Sequence, residues 1–97
     1  MQLTGKVALI TGGTMGIGEA IAVDLAQQGA DVAIVARHLG EPAENVKSQV
    51  ESHGRRCHLM TGDMTQQEDC IAAINGTAEA LGRLDVLVHN AGGPSAG

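Results

Sequence analysis

The chain has no phenylalanine, tyrosine or tryptophan. Aromatic side chains give the largest burial per residue, so the core must come from Ala, Val, Ile, Leu and Met. Small aliphatics suit buried parallel strands against closely packed helices. Basic residues are few: six Lys and Arg against eleven Asp and Glu leave a net charge of −5, with no basic run. That argues against nucleic acid as a partner, and none is expected. No segment approaches the roughly 18 apolar residues of a membrane span. Met1-Gln2-Leu3-Thr4-Gly5-Lys6 does not lead a basic region into an apolar stretch, so neither a membrane anchor nor a secretion signal is expected. The two cysteines, Cys57 and Cys70, form no C-x-x-C pattern. They read as structural or free thiols in a reducing cytoplasm. His53, Cys57 and His58 lie close in sequence but fit no common zinc spacing, and no metal is expected. The 97 residues allow one small domain.

What the chain does have is glycine, fourteen in all, and the most informative are in Thr11-Gly12-Gly13-Thr14-Met15-Gly16-Ile17-Gly18. This run follows the apolar segment Lys6–Thr11 and opens a helical pattern, Ile17–Gln28. Glycines between a strand and a helix let backbone approach a ligand closely. They also leave helix N-terminal N–H groups free to meet negative charge, an arrangement that favours phosphate. No Gly-Lys-Ser/Thr follows, so a P-loop is excluded.

Strand and helix patterns alternate throughout. Strands are predicted at Lys6–Thr11, Asp31–Ala36, Cys57–Thr61 and Asp85–His89. Helices are predicted at Ile17–Gln28, ended by Gly29, then from Pro42 to Ser52, then at Gln66–Leu81. Ile17, Ile21 and Leu25, with Ala20 beside them, predict the buried stripe of the first helix. Ile71, Ile74, Ala78 and Leu81 predict that of the third. Thr65 and Glu68 have capping-box spacing. The pattern predicts an α/β fold, a Rossmann-type doubly wound parallel sheet of four strands in order 3-2-1-4. Helices one and two are expected on one face and helix three on the other. The order reverses between strands one and four, the place where open α/β sheets bind ligands.

The glycines at 12, 16 and 18 follow G-x-x-x-G-x-G, and here the sequence resembles the short-chain dehydrogenase/reductase family, whose fingerprint is T-G-x-x-x-G-x-G after the first strand. Asp63-Met64 after strand three stands where the family places an adenine-contacting Asp. His89-Asn90-Ala91-Gly92 is similar to its N-N-A-G, with His for the first Asn. Leu3-Thr4-Gly5-Lys6-Val7-Ala8 resembles a frequent family opening. The resemblance implies a dinucleotide site made of Gly12, Thr14, Met15, Gly16, Ile17, Gly18, Asp63, Met64, Asn90, Ala91 and Gly92. His89 is expected to be a packed substitute and Asn90 partly structural.

The end of strand two bears on cofactor choice. NAD-preferring folds place an acid there for the ribose 2′-OH. Here Ala36 holds that place and Arg37 follows, with His38 beside it. Arg37 is suited to a 2′-phosphate through charge-assisted bonds, which favours NADP over NAD. The plainer reading is a solvated arginine, and Met15 supplies no basic residue in the turn. Asp31 opens the strand too early to reach the ribose.

The resemblance implies hydride transfer between nicotinamide and a small carbonyl or alcohol substrate, with a Tyr as acid–base group, a Lys that lowers its pKa, and a Ser that orients the substrate oxygen. The Tyr and Lys lie in Y-x-x-x-K beyond strand four. This chain has no tyrosine, Lys6 and Lys47 lie elsewhere, and Ser95 does not match the family serine. No catalytic residue is assigned. Residues 1–97 are therefore expected to be the dinucleotide-binding N-terminal part of an NADP-dependent oxidoreductase that is homo-oligomeric when complete. Asn90–Gly97 looks like members akin to 3-oxoacyl-carrier-protein reductases. The alternative is a catalytically silent nucleotide-binding or interaction module. A methyl-donor-binding domain fits the strand–helix pattern but not Asp63 and Asn90. The apolar edge Val86-Leu87-Val88 invites pairing with another chain.

Overall fold

Every residue of the first strand is buried, so both faces of the sheet must be covered. In the computed structural model, which describes residues 2–90, the elements run β1 (Val7–Thr11), α1 (Gly16–Gln27), β2 (Asp31–Ala36), α2 (Glu41–Ser52), β3 (Cys57–Thr61), α3 (Gln67–Leu81) and β4 (Val86–His89). The sheet order is β3-β2-β1-β4, with all neighbours parallel. The predicted order holds, and every element begins and ends within one residue of its predicted bound. Among the described residues no helix is long and apolar enough to cross a membrane.

The two-residue period of the strands sorts side chains between two cores. On one face Ile10, Val32 and Ile34 pack with Ala22 and Ala26 of α1, Val46 and Val50 of α2, and Cys57. On the other, Val7, Leu9, Ala33 and Val35 meet Ala73 and Leu81 of α3. Burial pushes the Cys57 thiol up to about 12, so it stays protonated within its apolar surroundings.

The helix stripes differ from expectation. Ile17 is exposed, Ile21 and Leu25 are half-buried, and the buried line of α1 is Gly18, Ala22 and Ala26. In α3, Ile71, Ile74 and Ala78 are exposed, while Ala73, Thr77 and Leu81 face the sheet. Small residues win these positions because they let a helix lie close to a twisted sheet. A Cβ on Gly76 would stand 3.0 Å from the Met60 sulfur of β3. Thr77 is tolerated in the core because its hydroxyl donates to the Ala73 carbonyl at 2.7 Å. The capping box does not form either. Gln66 is the N-cap and offers no side-chain bond, while the Thr65 hydroxyl turns to Asp63.

The N-terminal ends of the strands are fastened by two ion pairs. Asp31 accepts the Arg56 backbone N–H at 2.9 Å and its guanidinium at 3.0 and 2.8 Å. The same guanidinium reaches the Leu81 carbonyl at 3.1 Å, joining β2, β3 and the end of α3. Asp85 accepts the Val7 N–H at 2.9 Å and two bonds from Arg83. Partial burial raises the Asp31 carboxyl, but the Arg56 bonds outweigh it and leave the net value below the usual range. The Arg83 bonds, then the Val7 N–H, hold Asp85 below it too.

Two outcomes follow. Ile34→Ala should cost about 2–5 kcal/mol in denaturant unfolding, because it empties a fully buried position on the central strand β2, in the core shared with α1 and α2; a loss below about 1 kcal/mol would mean that the core collapses around it. Depressed carboxyls stabilise above their unfolded value, about 3.9, and lose that contribution as pH falls through their folded values. The melting temperature should therefore fall steeply on acidification below about pH 4, and Asp31→Asn or Asp85→Asn should flatten that limb.

Candidate functional site

The C-terminal ends of β1 and β4 meet the N-terminus of α1, and the residues between them are set by contacts a side chain would break. The ideal Cβ of Gly18 would lie 2.5 Å from the Gly12 carbonyl oxygen, 2.7 Å from Asn90 Nδ2 and 2.7 Å from the Gly13 Cα. Helix α1 can therefore enter this turn only with glycine at 18. Gly16 has no atom within 4 Å of its would-be Cβ, but its φ of +60° lies in the left-handed region. One glycine is required by space and the other by conformation.

Asn90 closes the turn from the β4 side. Its N–H donates to Thr11 Oγ1 at 2.9 Å, and its Nδ2 lies 3.4 Å from the Gly12 carbonyl. The Gly12 N–H donates to the Val35 carbonyl at 2.8 Å, which ties the turn to β2 as well. His89 is exposed rather than packed, with Nδ1 3.4 Å from Thr11 Oγ1. The N-cap of α1 is Met15, which makes no side-chain capping bond. The first N–H groups of a helix have no intrahelical acceptor, so those of Gly16, Ile17 and Gly18 form a donor set suited to phosphate. Met15 and Ile17 are 65% and 72% exposed, at the lip of the turn. An open depression of about 460 Å³ separates the turn from α2. Glu19, Glu41 and Glu44 border it, and their charge makes it the wrong side for an anion.

The ends of β2 and β3 emerge side by side, since Ala36 pairs with Thr61. Arg37 Nη2 donates to Asp63 Oδ1 at 3.3 Å. Asp63 also accepts the Thr65 N–H at 2.9 Å and the Thr65 hydroxyl at 2.7 Å, while its own N–H donates to Asp69 Oδ2 at 2.7 Å. The Thr65 bonds, then Arg37, hold the Asp63 carboxyl below the usual range. Met64 is half-buried against the α3-side core. His38 is exposed beside Arg37.

The structure thus brings Gly12, Thr14, Met15, Gly16, Ile17, Gly18 and Asn90 together at one turn, and Arg37 and Asp63 at a neighbouring strand end, with His38 and Met64 next to them in the chain. Ala91 and Gly92 lie outside the described residues. Sequence reasoning did not assign Thr11, Thr65 and Asp69, which orient Asn90 and Asp63. The threonine of T-G at the end of β1 was the available signal for the first. Among the described residues no group of three or more His, Cys, Asp or Glu side chains could hold a metal.

The model of the short chain dehydrogenase family matches residues 6–97. The chain belongs to the short-chain dehydrogenase family. It is 50% identical over 91 residues to General stress protein 39 of Bacillus subtilis, covering 94% of this chain and 32% of that protein. A short-chain dehydrogenase/reductase from Serratia marcescens superposes with a TM-score of 0.89 at 37% identity, covering 95% of this chain and 38% of that one. Carveol dehydrogenase from Mycobacterium avium, solved in complex with NAD, gives 0.86 at 31% identity, over 94% of this chain and 37% of that one. The chain spans about a third of the length of the curated relatives it matches.

The two glycines should respond differently to substitution. Gly18→Ala forces backbone apart and should cost about 1–3 kcal/mol. Gly16→Ala meets no protein atom and should cost about 1–2 kcal/mol through its left-handed backbone alone. Gly16→Asn should reduce that cost, because asparagine tolerates that region, whereas Gly18→Asn should cost more than Gly18→Ala. Chemical denaturation of the four variants checks this; equal behaviour of the two asparagine variants would refute the distinction.

Proposed function

We propose that this chain supplies the adenosine-binding part of an NADP-dependent oxidoreductase of the short-chain dehydrogenase/reductase type. The observation that carries the reading is the uncapped N-terminus of α1 above a glycine turn, with Asn90 bonded to that turn. In this reading Gly12, Thr14, Met15, Gly16, Ile17 and Gly18 receive the pyrophosphate. Asp63 and Met64 take the adenine edge. Asn90 borders the crevice between β1 and β4, and the reading extends to Ala91 and Gly92, which follow it in the sequence. Open space at Gly16 supports the fit, because a phosphate can approach the donors without displacing a side chain.

Arg37 and His38 take the 2′-phosphate side. Arg37 has 65% of its side chain exposed, and no acid occupies position 36 to accept a ribose 2′-OH. That supports NADP over NAD, although the carveol dehydrogenase neighbour holds NAD. When bound, the cofactor supplies the hydride chemistry, and the residues of this chain bind and orient its adenosine end. The substrate would be a small carbonyl or alcohol compound. The proton donor must come from sequence other than these 97 residues, which hold no tyrosine. Without a positioned donor about 10²–10⁴-fold in rate is lost. The reading places the protein in the cytoplasm, in keeping with two free cysteines, and its complete form in a homo-oligomer. The lack of tyrosine equally supports a second reading, a silent nucleotide-binding module; turnover of NADPH separates the two in a chain extended to the length of its relatives.

Calorimetric titration with adenosine 2′,5′-bisphosphate and with 5′-AMP tests the cofactor choice. The bisphosphate should bind about tenfold more tightly or better, as expected for a charge-assisted contact. Arg37→Asp should reverse that order, and an unchanged ratio would remove Arg37 from the site.

A further inference from the structure

We infer that Asp63 sets how strongly this site prefers a 2′-phosphate, by competing with that phosphate for Arg37. The inference rests on the proposed pairing of Arg37 with the 2′-phosphate.

Three donors converge on one oxygen, Asp63 Oδ1. The Thr65 hydroxyl lies at 2.7 Å, the Thr65 N–H at 2.9 Å and Arg37 Nη2 at 3.3 Å. The arginine bond is the longest, and Arg37 is the more exposed member of its ion pair, 65% against 36% for the aspartate side chain. The carboxylate is fixed by a local turn, while its backbone N–H is held by Asp69 at the start of α3. Arg37 is therefore the member that moves. Its carboxylate partner stays where it is, with a full negative charge.

A ligand with a free 2′-OH leaves this pair intact. A 2′-phosphate acts against it in two ways. Fork-like pairing of the guanidinium with phosphate competes for the donor that Asp63 now holds. The carboxylate would also repel a phosphate held by the same guanidinium, since Asp63 Oδ1 lies 3.3 Å from Arg37 Nη2 and screening sets in only over about 8 Å. Both effects have the same sign, and both narrow the gap between NADP and NAD. Asp63 is thus a positioning residue acting through Arg37, in addition to any contact it makes with adenine. An adenine contact adds equally to both ligands and cancels from their ratio.

The test is Asp63→Asn in the 97-residue chain, since the asparagine oxygen keeps both Thr65 bonds. The readout is the dissociation constant for 5′-AMP divided by that for adenosine 2′,5′-bisphosphate. Asp63→Asn should raise this ratio about three- to tenfold, the scale of an exposed ion pair plus a like-charge repulsion. In an Arg37→Gln background the same change should raise it no more than about twofold. A ratio that Asp63→Asn leaves unchanged or lowers, in a chain that does prefer the bisphosphate, overturns the competition alone. A wild-type ratio of one overturns the Arg37 reading and the competition with it. Carbon-13 titration of the Asp63 carboxyl in the ligand-free chain gives a check independent of nucleotide. Arg37→Gln should move its midpoint upward, and an unmoved midpoint overturns the proposal.

Discussion

Everything at the sheet's C-terminal end depends on one close approach, that of Gly18 to the Gly12 carbonyl and the Asn90 amide. Because residue 18 has no side chain, α1 starts directly against the turn that leaves β1. The helix N-terminus then faces the crevice beside β4. The same approach sets how deep α1 lies on the sheet, which is why its buried line continues through Ala22 and Ala26 rather than through the larger Ile21 and Leu25. A bulkier stripe would lift the helix and separate its N–H groups from Asn90.

The two ends of the strands have been given different physical tasks. At the N-terminal ends, Asp31 with Arg56 and Asp85 with Arg83 combine charge with backbone bonds, and each carboxylate holds a strand in register. At the C-terminal ends short bonds from Thr65 and Thr11 fix Asp63 and Asn90, but Arg37 to Asp63 and the Asn90 side chain to Gly12 are longer, 3.3 and 3.4 Å. Those two looser contacts leave groups that a ligand can recruit. The division matches the rule that open α/β sheets bind at the carboxyl ends of their strands.

Much of this was legible in the sequence. Strand order followed from the alternation of elements, and the glycine spacing located the turn, because both depend on local pattern. The helix faces were not legible. Ranking residues by hydrophobicity selects Ile71 and Ile74, whereas the sheet selects Ala73 and Thr77, which permit a closer fit. Nothing in the residue type of Thr77 signals its burial, which is possible because its hydroxyl is satisfied inside its own helix. The pairing of Arg37 with Asp63 joins residues brought together only by the β2–β3 register, and no spacing rule reports that.

Asn90 meets Thr11 across 79 positions of sequence. Closing a loop of that length costs about 4 kcal/mol in chain entropy. The turn between β1 and α1 can form locally and early, but its β4 wall arrives only when the whole described chain has closed. A ligand that needs both sides of the crevice therefore binds the closed chain alone, and mass action links its affinity to folding. In the proposed reading, a nucleotide at this crevice is a late reporter of topology: it stabilises molecules in which β1 and β4 already lie side by side.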